Sequence, residues 1–357
     1  MLKIILSILA AFLTAASFMP LIRKDDWWIR VFDFPRSQIV VLGLIVLIAG
    51  LFVWNLRSPV QAILAGLLTL GIGYEISTIL PYTVVAPTQV LASSRNEPDS
   101  TLSLLVANVL MSNRETERLK DIIHDLDPDL VLLLEPDTWW EEQMRVLEDT
   151  YTTTLKKPLD NRYGMLLYSR LPLVDPKIKF LLKDNIPSMH TQIRLASGQH
   201  IWLHALHPEP PSPTEADAST DRDAELLIVG KAIKDRDNPT IVAGDLNDVA
   251  WSYTTTLFQK TSGLLDPRRG RGFYNTFNAK NFLMRWPLDH VFHSDHFTLV
   301  EMQRPPAFGS DHFPIYVNLH LQAEAQSEQE EPEADQGEKQ QTEEKIEKAT
   351  EQEPLEQ

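Results

Sequence analysis

Three long apolar runs open the chain, and short apolar runs ending in polar residues fill most of the remainder. Leu2 to Ile22 is almost wholly apolar and long enough for a helix to cross a bilayer. Ile39 to Leu56 is a second run, and Val60 to Leu80 is a third, interrupted only by Glu75 near one end. A cleaved signal peptide would explain the first run alone, and the Ala-rich stretch from Ala10 to Ala16 has that character. Two further runs come directly after it, so the pattern predicts an anchor of three transmembrane helices over residues 1–80. Trp27 and Trp28 in the first loop suit a membrane interface, and Glu75 lies near enough to its run's end to reach the headgroups. Arg23, Lys24, Arg30 and Arg36 lean that loop toward the cytoplasm, while Lys3 and Arg57 on the opposite side oppose it, so the side on which the rest of the chain lies stays open.

Residues 81–100, rich in Pro, Ser, Asn and Thr, read as a linker. Thr101 to Ala107 alternates and ends apolar, as a strand does. Ser112-Asn113-Arg114-Glu115 has the form of a capping box, and Leu119, Ile122, Ile123 and Leu126 come next at helical spacing. Leu130 to Leu134 is a buried-strand run, which completes a β-α-β unit. Further strands are expected at 164–168, 201–206, 240–243, 289–292 and 314–319, with a helix at 225–233. Residues 101–321 therefore form one α/β domain around a mixed sheet core.

Charge and composition narrow this picture. The tail from Gln322 to Gln357 holds 13 acidic and 3 basic residues, so it carries −10 of the chain's −16. With few apolar residues and no aromatics it is expected to be disordered, apart from a short helix near Glu343 to Ala349. The chain has no cysteine, which excludes disulfides, thiolate metal sites and cysteine nucleophiles. No basic excess matches a nucleic-acid backbone; Lys156-Lys157 and Arg268-Arg269-Gly270-Arg271 are local clusters.

Six polar, metal-competent segments sit where strands should stop: Ala107-Asn108, Leu134-Glu135-Pro136, Leu206-His207-Pro208, Gly244-Asp245-Leu246-Asn247, Leu288-Asp289-His290 and Gly309-Ser310-Asp311-His312. Glu135 offers the hard oxygen that Mg²⁺ prefers. Asp245 and Asn247 alternate onto one side, where they can orient a water and contact a phosphate oxygen. An Asx turn closing a strand would also produce that pair. Asp289 can fix the tautomer of His312, so that the imidazole takes a proton from water. His204 and His207 lie three apart and face opposite sides of a strand, and His207, at the strand's end, is the one expected in the cleft.

In order, spacing and residue type, the set Asn108, Glu135, His207, Gly244-Asp245-Leu246-Asn247, Asp289 and Ser310-Asp311-His312 resembles the endonuclease/exonuclease/phosphatase superfamily, whose fold is that of DNase I. The resemblance covers residues 101–321. It implies a four-layer α/β sandwich and hydrolysis of phosphoesters with Mg²⁺ or Mn²⁺. It further implies a metal held by Glu135 with help from Asn108 and Asp311, and a water positioned by Asp245. Asn247 would then contact the phosphate, His312 and Asp289 would form a pair, and His207 would donate to the phosphate or leaving oxygen. Many members carry an acid or amide two residues after the first Asn; here that residue is Leu110.

The expectation is a bacterial-type, multi-pass protein of the cell (inner) membrane. Its domain would be a phosphodiesterase of endonuclease/exonuclease type, needing the lipid bilayer and no obligate protein partner. A phospholipid or phosphoinositide phosphodiesterase is the alternative substrate class, and a catalytically silent membrane scaffold is the alternative of another kind. In the loop before Tyr274 and Phe277, Arg268, Arg269 and Arg271 are expected to meet the substrate phosphate, with those two rings suited to a base.

Overall fold

The computed structural model describes residues 1–94, 97–236 and 238–352. Helices α1 (Leu2–Phe18), α2 (Trp27–Arg30), α3 (Arg36–Val53) and α4 (Pro59–Ile79) come first. α1, α3 and α4 pack on one another through Leu6, Ala10, Leu13, Val46, Leu68 and Ile72. Their other faces leave Ile8, Phe12, Ile45, Ile48 and Leu70 exposed. With their flanking turns, all three are long and apolar enough to cross a membrane. A small bundle that is apolar outside as well as inside suits lipid and not water. Glu75 does not reach outward, contrary to expectation. It is buried against Arg36, whose two guanidinium ends bond Glu75 Oε2 and Asp33 Oδ1, each at 2.9 Å.

The C-terminal domain is built from β1 (Thr101–Asn108), α5 (Glu117–Leu126), β2 (Leu130–Leu134), α6 (Thr138–Met144), β3 (Thr153–Lys157), β4 (Met165–Ser169) and β5 (Leu173–Lys179). It continues with β6 (Ser188–Arg194), β7 (His200–Ala205), α7 (Thr220–Lys234), β8 (Thr240–Asp245), α8 (Tyr253–Ser262), β9 (Asp289–His293), β10 (Phe297–Gln303) and β11 (Ile315–Leu321). One sheet has the order β10-β11-β1-β2-β4-β3, and the other β5-β6-β7-β8-β9.

Alternation along the strands makes the layers. Leu104, Val106, Leu132 and Leu134 face Ile193, Leu203, Ile241 and Val291 of the other sheet. Leu105, Ala107, Val131 and Leu133 face Leu119 and Ile123 of α5 and Trp140 of α6. On the far side, Val242 and Phe292 pack against Leu226 and Val229 of α7 and Phe258 of α8. Strands covered on both faces read as continuous apolar runs, which is why β1, β2 and β8 were visible in the pattern. The four-layer α/β sandwich is the architecture found.

Three expectations fail for physical reasons. First, α5 begins at Glu117 and not at the capping-box motif; the Asn113 side chain instead closes a local turn by accepting from the Glu115 amide at 3.0 Å. Second, residues 81–94 are not a loose tether. Val90 is wholly buried in the sandwich, and Leu91 and Ser93 exchange backbone hydrogen bonds with Leu299 at 2.8 Å. Third, the acidic tail is folded as far as Gln352, and residues 353–357 lie outside those described. It forms a helix, α9 (Gln336–Gln352), laid along α7 and α8.

Apolar composition could not reveal that helix, because charge pairs and side-chain amides hold it. Lys231 meets Glu343 at 2.5 Å, Lys260 meets Glu338 at 2.6 Å, and Lys345 reaches Asp25 at 2.6 Å and Asp223 at 2.8 Å. Before the helix, Gln329 donates to the carbonyls of Asp295 and Phe297 and accepts from the amide of Leu91. Lys345→Met is expected to lower stability by roughly 2–4 kcal/mol, since it leaves Asp223 buried with one cation fewer. Burial opposes the Asp223 charge, but Lys345 and Arg222 outweigh it and hold this carboxyl well below the usual range. A depressed acid contributes fully above its unfolded value of about 4 and loses that contribution as pH falls further. Thermal melts of wild type and variant should therefore differ by a constant gap from pH 8 to 5 and converge toward pH 2. An equal gap throughout would contradict the pairing.

Candidate functional site

The two sheets bring the ends of β1, β2, β7 and β8 and the start of β9 to one edge of the sandwich. β1 and β2 are parallel with Asn108 opposite Leu134, so Asn108 and Glu135 emerge side by side. Asn108 Nδ2 donates to Glu135 Oε1 at 2.8 Å and to Asp245 Oδ2 at 3.1 Å. β8 and β9 are antiparallel with Asp245 directly opposite Asp289. His312, in the turn before β11, lies between those two carboxylates. Its Nδ1 is 2.7 Å from Asp289 Oδ2, and its Nε2 is 3.5 Å from Asp245 Oδ2. Ser310 fixes the turn by donating to the Asn108 carbonyl at 2.7 Å and accepting from the His312 amide at 3.0 Å. His207, just past β7, has Nε2 3.9 Å from Asp245 Oδ2.

Two glycines make this crowding feasible. A Cβ on Gly244, whose φ is +148°, would lie 1.9 Å from the Leu206 carbonyl oxygen, so no side chain fits where β8 passes β7. A Cβ on Gly164 would lie 2.0 Å from the Pro136 carbonyl oxygen, beside the turn that carries Glu135. Leu110, Glu135 and Asn247 have φ of +55°, +61° and +51°. With Arg162 at +72° they make four non-glycine residues in the left-handed region around one cleft, where bent backbone aims side chains.

The cleft holds about 160 Å³ and is lined by Glu135, His207, Asp245, Asn247, Asp311 and His312, with Arg162, Tyr163, Glu215 and Phe277 at its sides. Phe277 follows the basic loop expected to meet the substrate, but Arg162, Tyr163 and Glu215 were not foreseen. The polar loop Asn161-Arg162-Tyr163 ahead of a strand carries no motif, and nothing local marks Glu215. Tyr163 packs its ring 5.4 Å from that of His207 and donates its hydroxyl to Glu215.

Burial and mutual charge set the protonation states. Burial and the Asp289 charge push the Asp245 carboxyl up. Burial would also raise Asp289, but the His312 charge and hydrogen bond outweigh it and hold Asp289 below the usual range. Burial would lower His312, yet Asp289 and Asp245 on either side drive it well above an ordinary imidazole. Burial and the His312 charge depress His207 to about 3, so it is neutral. Burial raises Glu135, against the Asn108 hydrogen bond.

A cation fits this donor set at Glu135. Glu135 Oε2 is buried and has no hydrogen-bond partner, although it borders the cleft with Asp311. Asn108 does not face a cation with its oxygen as expected. Its Oδ1 accepts from the Leu110 amide at 3.0 Å, which leaves the NH₂ group toward the two carboxylates, so it orients them. Asp245, Asp289 and His312 offer ligand atoms within 4.8 Å of one another. The 2.7 Å hydrogen bond between Asp289 and His312 and the raised imidazole make them a proton-linked trio more readily than a ligand set.

The basic loop is elsewhere. Arg268 is buried, 2.8 Å from Asp266 Oδ2 and 2.6 Å from His290 Nδ1. Arg269 lies over the Tyr82 ring, and Arg271 donates to the Val90 carbonyl at 2.6 Å. The expected phosphate contacts are therefore corrected: Arg268 is locked inside the domain, and Arg269 and Arg271 clamp residues 82–90 onto it.

Residues 105–312 match the Endonuclease/Exonuclease/phosphatase family. The chain belongs to that family. Similar solved structures include a humanized D. rerio TDP2, with 18% identity, a TM-score of 0.53, and 62% of this chain covered against 99% of that one. The human Nocturnin catalytic domain with bound sulfate matches at 17% identity and TM-score 0.52, covering 64% and 96%. An endonuclease/exonuclease/phosphatase from Beutenbergia cavernae matches at 19% and 0.51, covering 62% and 72%. At such identities the likeness is one of fold. No curated protein matches the chain. The family's enzymes hydrolyse phosphoesters, and the superfamily expected from the six segments is the one found.

Proposed function

We propose that this chain is a membrane-anchored, divalent-cation-dependent phosphoester hydrolase in which water attacks phosphorus. The observation that carries the reading is the buried, partnerless Glu135 Oε2 at the floor of a cleft that also holds Asp245, His207 and His312. The three apolar helices support the anchor in a cell membrane.

Glu135 and Asp311 would hold Mg²⁺ or Mn²⁺, which offsets charge on the phosphoryl oxygens. Asp245, raised by burial, accepts the proton of the attacking water. Positively charged His312, held by Asp289, faces the charge that develops on phosphorus and keeps Asp245 in place. This reverses the expected role of His312 as the base, because an imidazole between two carboxylates is already protonated. Neutral His207 donates one N–H to a phosphoryl oxygen, and Asn247 lines the same wall. The new P–O bond forms as the bond to the leaving oxygen breaks, and solvent protonates that oxygen.

A nuclease would need cations along a groove. With Arg268, Arg269 and Arg271 held away from the cleft, Arg162 is the one arginine or lysine that lines it among the described residues. Full-length protein stripped with EDTA should lose hydrolysis of bis(p-nitrophenyl) phosphate and recover it with Mg²⁺ or Mn²⁺. Undiminished activity in excess EDTA would refute the metal role.

A further inference from the structure

Beside the catalytic cleft lies a second hollow of about 460 Å³, and the two share Asn247, Phe277, His312 and Pro210 as common walls. Its character is the opposite of the cleft's. One side is made by Trp27, Val31 and Phe34, from the segment joining α1 to α3, and the other by Met284, Trp286 and Leu288. Arg30, the one arginine lining it among the described residues, is committed to Asp33 at 3.2 Å, and His312 to Asp289 at 2.7 Å. The hollow thus runs from a phosphate-sized polar cleft to the loop between two membrane-length helices.

The outer lip is apolar too. Phe282, Leu283 and Met284 are 79%, 73% and 51% exposed. The Leu283 carbonyl accepts from Gln38 Nε2 at 2.9 Å. Gln38 lies in the first turn of α3, so the lip stands level with the point where that helix would enter the bilayer. Three consecutive exposed apolar residues at that height fit an interface and are unfavourable in water.

We propose that the substrate is a lipid phosphoester whose apolar chain lies in this groove while its phosphate sits in the cleft. This rests on the phosphohydrolase reading above and names the substrate class for the same site. The chain enters sideways from the bilayer, past Phe282 and Leu283, along the wall that the anchor itself supplies. The substrate is a diester: water adds to phosphorus, one of its two ester P–O bonds breaks, and the products are a phosphomonoester and an alcohol. No oxidant or second substrate is needed. Polynucleotide is the disfavoured occupant, since the groove has no free cation and no polar row to follow a phosphate backbone.

The test uses full-length protein with Mg²⁺ and a series of alkyl p-nitrophenyl phosphates from methyl to dodecyl, below their aggregation limits. Each methylene that enters an apolar groove should raise kcat/KM up to about fourfold. In Val31→Asp this chain-length slope should flatten, and in Val31→Leu it should return. Hydrolysis of the whole series at one rate would overturn the groove and leave the phosphohydrolase intact. Faster cleavage of a single-stranded oligonucleotide than of the dodecyl ester would also overturn it. Failure to cleave any probe with Mg²⁺ or Mn²⁺ would remove both readings.

Discussion

Glu135→Gln should abolish nearly all hydrolysis while the fold stands. Gln keeps the shape and can still meet Asn108 through its carbonyl, so the +61° backbone and its hydrogen bond to Gly164 need not move. What goes is the one negative charge at the floor of the cleft with an unpartnered oxygen. Loss of the main charged ligand of a hard cation should lower kcat/KM by at least roughly 10²–10³-fold. A second readout separates this from misfolding. Burial raises the Glu135 carboxyl, so without metal its charge disfavours the folded state. Metal-free Glu135→Gln should therefore melt at or above the wild-type temperature. Added Mg²⁺ should raise the wild-type melting point and leave that of the variant unchanged. A variant that keeps full activity, or keeps the Mg²⁺-dependent shift, would refute the assignment.

His312 and Asp289 should behave as one unit. The imidazole is held on one side by Asp289 at 2.7 Å and faces Asp245 at 3.5 Å on the other. His312→Ala removes the cation between two buried carboxylates, and one of them must then take up a proton. The expected loss is on the order of 10³-fold, with lower stability besides. Asp289→Ala leaves the imidazole without its orienting partner and should cost less. The double variant should be about as slow as His312→Ala alone, because Asp289 acts through the ring. Fully multiplicative losses would show two independent roles.

These residues also show what a chain displays before it is folded. Glu135 and Asp245 were legible because each ends an apolar run covered on both faces, and such strands announce where a cleft begins. His207 was separated from His204 by strand alternation together with its place at the strand's end. Arg268, Arg269 and Arg271 misled because a basic cluster looks the same whether its charges face solvent or, as here, Asp266, Tyr82 and the Val90 carbonyl. Tyr163 and Glu215 border the cleft through tertiary placement, which no local spacing encodes. Only the stretch near Glu343 to Ala349 was legible as helix; the rest of the tail helix and its docking were hidden because its partners Lys231, Lys260 and Asp25 lie far away in sequence. The role proposed for His312 could not be read from Ser310-Asp311-His312, since it depends on Asp245 lying 3.5 Å from the ring.

The segment between α1 and α3 is stitched to the domain at several points: Asp26 bridges Ala218, Trp251 Nε1 donates to the Asp33 carbonyl at 2.7 Å, and Phe34 meets Trp286 edge-on. Tyr82, just past α4, donates to the Ala250 carbonyl at 2.6 Å. With the three helices in a bilayer, these stitches leave the catalytic domain no swivel. The mouth of the cleft then stays at one height above the lipid, and the lipid substrate proposed above would reach it only by diffusion in the plane. Its turnover would track the mole fraction of substrate within the membrane. Diluting the vesicles in buffer would leave the rate per enzyme unchanged, whereas diluting the substrate with inert lipid would slow it.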